Sequence, residues 1–249
     1  MIRLDAATVL LQWATGGLAV LCLTGRHRVV GPGYGWLLRG VFGTIAGASA
    51  GVGFALDGME FRHVCAAIVA AWCIAGTVTS ARRKSSYAPS LELIGVAAGT
   101  AGLIAASVDT GGPVALAIAR CLVGAAFLGA ITDAMLLGHW YLVQPGLARR
   151  YLVELVLVVA AVWPFEIAVM LFPTGMVSVF TGAVDDGWNG TLGWMWAACA
   201  VTTIALVAVT KAALRERSYS AVMAATGLLY LAILTGFGTD LVARAVLAG

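Results

Sequence analysis

Five ionisable side chains fall inside two consecutive apolar runs. Arg120, Asp133 and His139 lie in the first; Glu154 and Glu166 lie in the second. Each such group costs about 2.5–3.5 kcal/mol inside lipid on the insertion scale, so each needs a reason to be there. Paired or chained, such groups line solute paths and relay protons. Depth decides which of them can meet. Arg120 lies seven residues in from Pro113, and Glu166 lies six residues in from Phe172. At 1.5 Å per residue both sit roughly 10 Å below the same boundary. The turn between the two runs, 144–150, is short. The expectation is an Arg120–Glu166 ion pair, with Asp240 entering at a similar level from the last run. Arg120, Glu166 and Asp240 thus form a candidate intramembrane polar site. Its structural reading is helix register; its functional reading is a polar cavity for solute or proton passage. Pro164 adds to the second, because it frees a carbonyl one turn earlier, and such breaks are tolerated where helices line a cavity.

The other end of the same two runs holds a second candidate site: Asp133, His139, Trp140 and Glu154. A His donor, flanking aromatics and a carboxylate would suit a quinone ring or a lipid headgroup. The competing reading is an interfacial aromatic belt, with His139 reaching headgroups or pairing with Glu154. Asp133 and His139 are six residues apart, some 120° off a shared helix face. They line one pocket only if neighbouring helices wrap that end.

Other chemistries lack their residues. Haem would want two His at one depth, and His27, His63 and His139 are dispersed. No His/Cys/carboxylate set has metal-ligand spacing. Lys84 and Lys211 lie near run ends, too shallow for a retinal Schiff base. The Gly31–Gly35 segment looks filter-like, but turn chemistry explains it. There is no Walker motif and no nucleophile elbow. No cofactor is expected, and catalysis is the less favoured role.

The elements that must position these residues follow from composition. The chain of 249 residues is 61% hydrophobic and 11% charged, with mean hydropathy +0.96. A soluble domain carries about 25% charged residues. Lipid must replace water over most of this surface. Eight continuous apolar runs are long enough to cross a bilayer or nearly so: 6–23, 34–56, 64–79, 91–108, 113–143, 151–172, 192–214 and 219–245. They do not alternate, which excludes a β-barrel. The expected fold is all-α: one polytopic integral membrane bundle of about eight transmembrane helices over 1–249.

Eleven of the fifteen Lys and Arg residues fall in four clusters: Arg26/Arg28/Arg39, Arg82/Arg83/Lys84, Arg149/Arg150 and Lys211/Arg215/Arg217. Asp57, Asp109, Asp185, Asp186 and Asp240 lie at the opposite run ends. The positive-inside rule then makes the basic loops cytoplasmic and both termini extracytoplasmic. The net charge of +3 therefore faces anionic headgroups rather than nucleic acid. Five cysteines lie in or beside apolar runs with no CxxC, so no disulfide framework is expected. Gly43, Gly47 and Gly51 repeat at four-residue spacing, which suits internal packing or, alternatively, a homo-oligomer or partner face. Gly43, Ala46, Gly47 and Asp57 recur 52 residues later, a weak internal repeat. The favoured reading is a small-solute or proton-linked transporter of the bacterial cytoplasmic membrane. An accessory subunit of a larger, respiratory-type membrane complex is second. A quinone- or lipid-processing enzyme is third.

Overall fold

A computed structural model of the chain describes residues 2–83, 92–108, 110 and 112–248. Lys84, Leu91 and Asp109, which the charge and span assignments used, lie outside them. The described chain is 80% helix with no strands. In order the helices are α1 (Ala6–Gly25), α2 (Pro32–Leu56), α3 (Phe61–Arg83), α4 (Glu92–Val108), α5 (Val114–Trp140), α6 (Arg150–Leu171), the single turn α7 (Val177–Phe180), α8 (Thr191–Ala213) and α9 (Tyr219–Leu247).

Local chemistry sets their ends. Asp5 caps α1 by accepting from the Thr8 N–H at 2.8 Å, and Ser218 caps α9 through the Ala221 N–H. Pro32 opens α2, where its missing N–H costs nothing. The fifth helix stops at Trp140, before the expected 143. Residues 141–149 form turns instead, and Leu142 and Val143 stand exposed beside Pro145.

Seven helices are long and apolar enough to cross a membrane; α4, at 17 residues, is shorter. Its length of about 25 Å falls short of a hydrocarbon core of about 30 Å. Large apolar side chains face outward, among them Phe165, Trp194 and Leu234. That is the surface of a chain solvated by lipid.

Two helix sets close in the same cyclic order. α1, α2, α3 and α4 pack in sequence and close through α1 and α4; α5, α6, α8 and α9 close through α5 and α9. The sets meet along α1 and α5. There Gly16 and Gly129 let the backbones touch: a Cβ on Gly16 would overlap the Ala125 carbonyl, and one on Gly129 would overlap Gly16. These two glycines are 113 residues apart. At the same separation Leu23, Gly25, Val30, Pro32 and Gly33 recur as Leu136, Gly138, Val143, Pro145 and Gly146. The structure thus relates halves of four helices. The 52-residue pairs sit differently: Gly47 faces Ala70 on α3, whereas Gly99 faces Thr15 on α1.

The Arg244 guanidinium donates to the Arg3 carbonyl at 2.7 Å, so both ends of the described chain lie together. This terminal end also holds Asp57, Glu60 and the 172–190 segment. The opposite, basic end holds the turns at 26–31, 141–149 and 214–218, where Arg149 donates to the Glu216 carbonyl. Arg39 does not belong to that basic surface. It is 1% exposed inside α2, 2.6 Å from Glu92 of α4, and also donates to Ser80 of α3.

Candidate functional site

The terminal half of the bundle contains a buried polar layer. On α9 the Arg244 Nε donates to Asp240 Oδ2 at 2.7 Å, and both side chains are fully buried. Gln12 of α1 closes the ring: its Nε2 donates to Asp240 Oδ1 at 3.1 Å, and its Oε1 accepts from Arg244 Nη2. α5 makes room with a glycine, because a Cβ on Gly124 would lie 2.8 Å from Asp240 Oδ1. Glu166 of α6 is 0% exposed and within electrostatic reach of Asp240 and Arg244. Neither of its carboxyl oxygens has a hydrogen-bond partner among the described residues.

Arg120 does not pair with Glu166. Its Nε donates to the Val169 carbonyl at 2.9 Å, and its Nη2 donates to the Phe172 carbonyl at 3.0 Å. Those carbonyls end α6 and have no partner within the helix. They reach the guanidinium about one turn before Glu166 does. Glu166 faces Asp240 and Arg244 instead. Arg244 escaped notice in the sequence, although its i,i+4 spacing from Asp240 is a readable pairing signal. Arg120 lines a cavity of about 320 Å³ at the terminal end, bounded by Leu116, Pro173, Thr174, Ser178 and Val246.

The candidate set at the basic end is dispersed. His139 is exposed and stands edge-on to Tyr230, with ring centroids 6.4 Å apart. It touches neither Asp133 nor Glu154. Glu154 is taken by the turn after α1, accepting from Arg26 and lying 2.7 Å from His27 Nε2. Trp140 donates to Gln144, whose amide also ties down Gly31 and Val29. Trp140 therefore clips two turns together. The helix α5 packs against α1, α4, α6 and α9 and is buried along most of its length as far as Gly138, but His139, beside its end, is exposed.

Asp133 remains, and its setting is unusual. It is 0% exposed, and neither carboxyl oxygen has a hydrogen-bond partner among the described residues. The Tyr34 hydroxyl donates to the Asp133 backbone carbonyl at 3.3 Å. Tyr34 also lines a cavity of about 280 Å³ at the basic end, with Leu21, Gly25, Arg28 and Pro32. The Asp133 backbone thus stands one side chain behind a cavity at one end. Glu166 stands about one turn behind a cavity at the other.

These helices define a multi-pass, all-helical membrane protein. The chain matches no protein-family model, no curated protein and no solved structure.

Proposed function

We propose that the protein is a proton-linked permease for a small solute, with Glu166 and Asp133 as its proton-carrying groups. One observation carries this reading: two wholly buried carboxyls on adjacent helices, toward opposite ends of the bundle, each with no hydrogen-bond partner among the described residues and each close to a residue that lines a cavity, Tyr34 at one end and Arg120 at the other. Burying an ionised carboxylate without a donor costs several kcal/mol, whereas the neutral acid escapes most of that cost. Such a group exchanges its proton only when water or a cation reaches it. About 14 Å of α5 separates Gly124, at the level of the Asp240 ring, from Asp133. The tight crossing of Gly16 and Gly129 lies in that interval. Two halves meeting at a narrow contact, with polar groups on either side, suit a rocking exchange of access.

In this reading α4 is the eighth span, the terminal end is extracytoplasmic and the basic turns face the cytoplasm of a bacterial inner membrane. The excess of Lys and Arg at one end supports that orientation. The test is proton flux. Purified protein in liposomes carrying a trapped pH dye is challenged with a pH gradient. Asp133→Asn and Glu166→Gln should each slow dye acidification at least tenfold. Wild-type flux from both variants would sink the proposal.

A second reading, an accessory subunit or homo-oligomer, draws on α2. Of the stripe Gly43, Gly47 and Gly51, Gly43 is packed against Cys73, whereas Gly51 has nothing within 4 Å. The enzyme reading loses its support with the dispersal of His139, Asp133 and Glu154.

A further inference from the structure

We infer that the terminal-end cavity beside Arg120 binds a small monocarboxylate with a short apolar tail, and that this anion is the permease's solute. The identification as solute rests on the permease reading; the binding site stands on its own geometry.

Charge is the first support. Four arginines are buried among the described residues: Arg39, Arg62, Arg120 and Arg244. Arg39 has Glu92, Arg62 has Asp5, Asp57 and Glu60, and Arg244 has Asp240. Among the described residues Arg120 alone of the four has no carboxylate within ion-pair distance. Its two contacts are carbonyls at the end of α6, where the helix dipole offers about half a negative charge. A buried cation is normally matched by a full counter-charge. Here the group positioned to receive one is a cavity.

The lining selects the anion's chemistry. Among the described residues it contains a single cation and no carboxylate, so it suits one negative charge rather than a polyanion. With its Nε and one Nη2 proton given to the α6 carbonyls, the guanidinium keeps its Nη1 end to meet a carboxylate. The Thr174 hydroxyl stands exposed at the rim as a further donor. Apart from Ser178, the remaining wall is mainly apolar, with Leu116, Pro173, Val184 and Val246 among its residues. A volume of about 320 Å³ accommodates a few carbon atoms beyond the carboxylate. Glu166 lies about one turn deeper on α6, so an anion at Arg120 and a proton on Glu166 would cross together without net charge.

The experiment uses the purified full-length chain in detergent, without a pH gradient. Its melting temperature is measured in excess sodium butyrate, in sodium chloride and in butyramide, the uncharged analogue. Butyrate should raise the melting temperature by about 2–4 °C, and butyramide should not. Arg120→Gln should abolish the butyrate shift. Val184→Trp, which plugs the cavity from an exposed loop position, should abolish it while leaving the ligand-free melting temperature unchanged. Equal shifts from butyrate and butyramide would overturn the site. So would a butyrate shift that survives Val184→Trp, or one that survives Arg120→Gln, which would leave Arg120 only a cap for α6. If Arg120→Gln does not fold, the butyramide comparison and the plugged variant decide. Binding without proton flux would retain the site and remove the permease reading; flux without binding would do the reverse.

Discussion

Asp240 and Arg244 stand one turn apart on α9, joined at 2.7 Å, and neither exposes any side-chain surface. Gln12 reaches across from α1 to both of them. The three side chains together thus span the joint between the two four-helix halves. A buried ion pair of this kind adds little net stability, because desolvation offsets attraction, but losing one member leaves a bare charge.

The first prediction follows from that asymmetry. Arg244→Met alone should cost about 3–5 kcal/mol, and Asp240→Leu alone a similar amount. The double variant should recover most of the loss. Unfolding in detergent, followed by circular dichroism, measures all three. Strictly additive losses would show that the two side chains do not act as a pair.

Gly16 carries the second. Its Cβ position is occupied by the Ala125 carbonyl, a backbone atom that cannot swing aside. Gly16→Leu should destabilise the bundle by about 1–3 kcal/mol or more through forced separation of α1 and α5. Gly51→Leu, with nothing within 4 Å, should change stability by less than about 0.5 kcal/mol. Equal melting temperatures for both variants would refute the close crossing.

The third concerns pH at the turn before α8. Desolvation pushes the Asp186 carboxyl up, but backbone N–H donors from Gly190, Trp188, Leu192 and Asp186 itself together hold it below the ordinary Asp value. A depressed carboxyl stabilises the fold above its unfolded value of about 3.9 and loses that contribution as pH falls through its folded value. The turn should therefore loosen only in acid below the usual Asp range. Amide exchange at Gly190 and Leu192, corrected for intrinsic rates, should show protection falling there. Asp186→Asn should flatten that dependence; an unchanged profile in the variant would assign it to another group.

Topology supplies the fourth. Reporter fusions after Asp186 and after Arg217 should read opposite sides of the membrane, with Arg217 cytoplasmic. Cytoplasmic signals at both positions would remove the proposed orientation, and with it the assignment of the Arg120 cavity to the outside.

Much of the site's vertical order was legible beforehand. Helix rise puts Arg120 and Glu166 toward one end and Asp133, thirteen residues along α5 from Arg120, toward the other. Pairing was not legible. Arg120 went to the Val169 and Phe172 carbonyls, Glu154 went to Arg26 and His27, and Asp240 took Arg244 from its own helix. Glu92, which neutralises Arg39 inside the bundle, sits at the edge of an apolar run, where its position alone does not mark it as buried.

From the residues alone came the helical class, the apolar lengths and the segregation of charge. Each depends on distance along the chain, and a helix converts chain position into depth at 1.5 Å per residue. Tertiary structure alone decided which face of each helix turns inward. In water an apolar stripe marks that face, but lipid is as apolar as the core, so these helices are hydrophobic all round and carry no such stripe. Azimuth was set instead by close contacts such as Gly16 on Ala125, in a bundle that buries Asp133 and Glu166 without donors among the described residues.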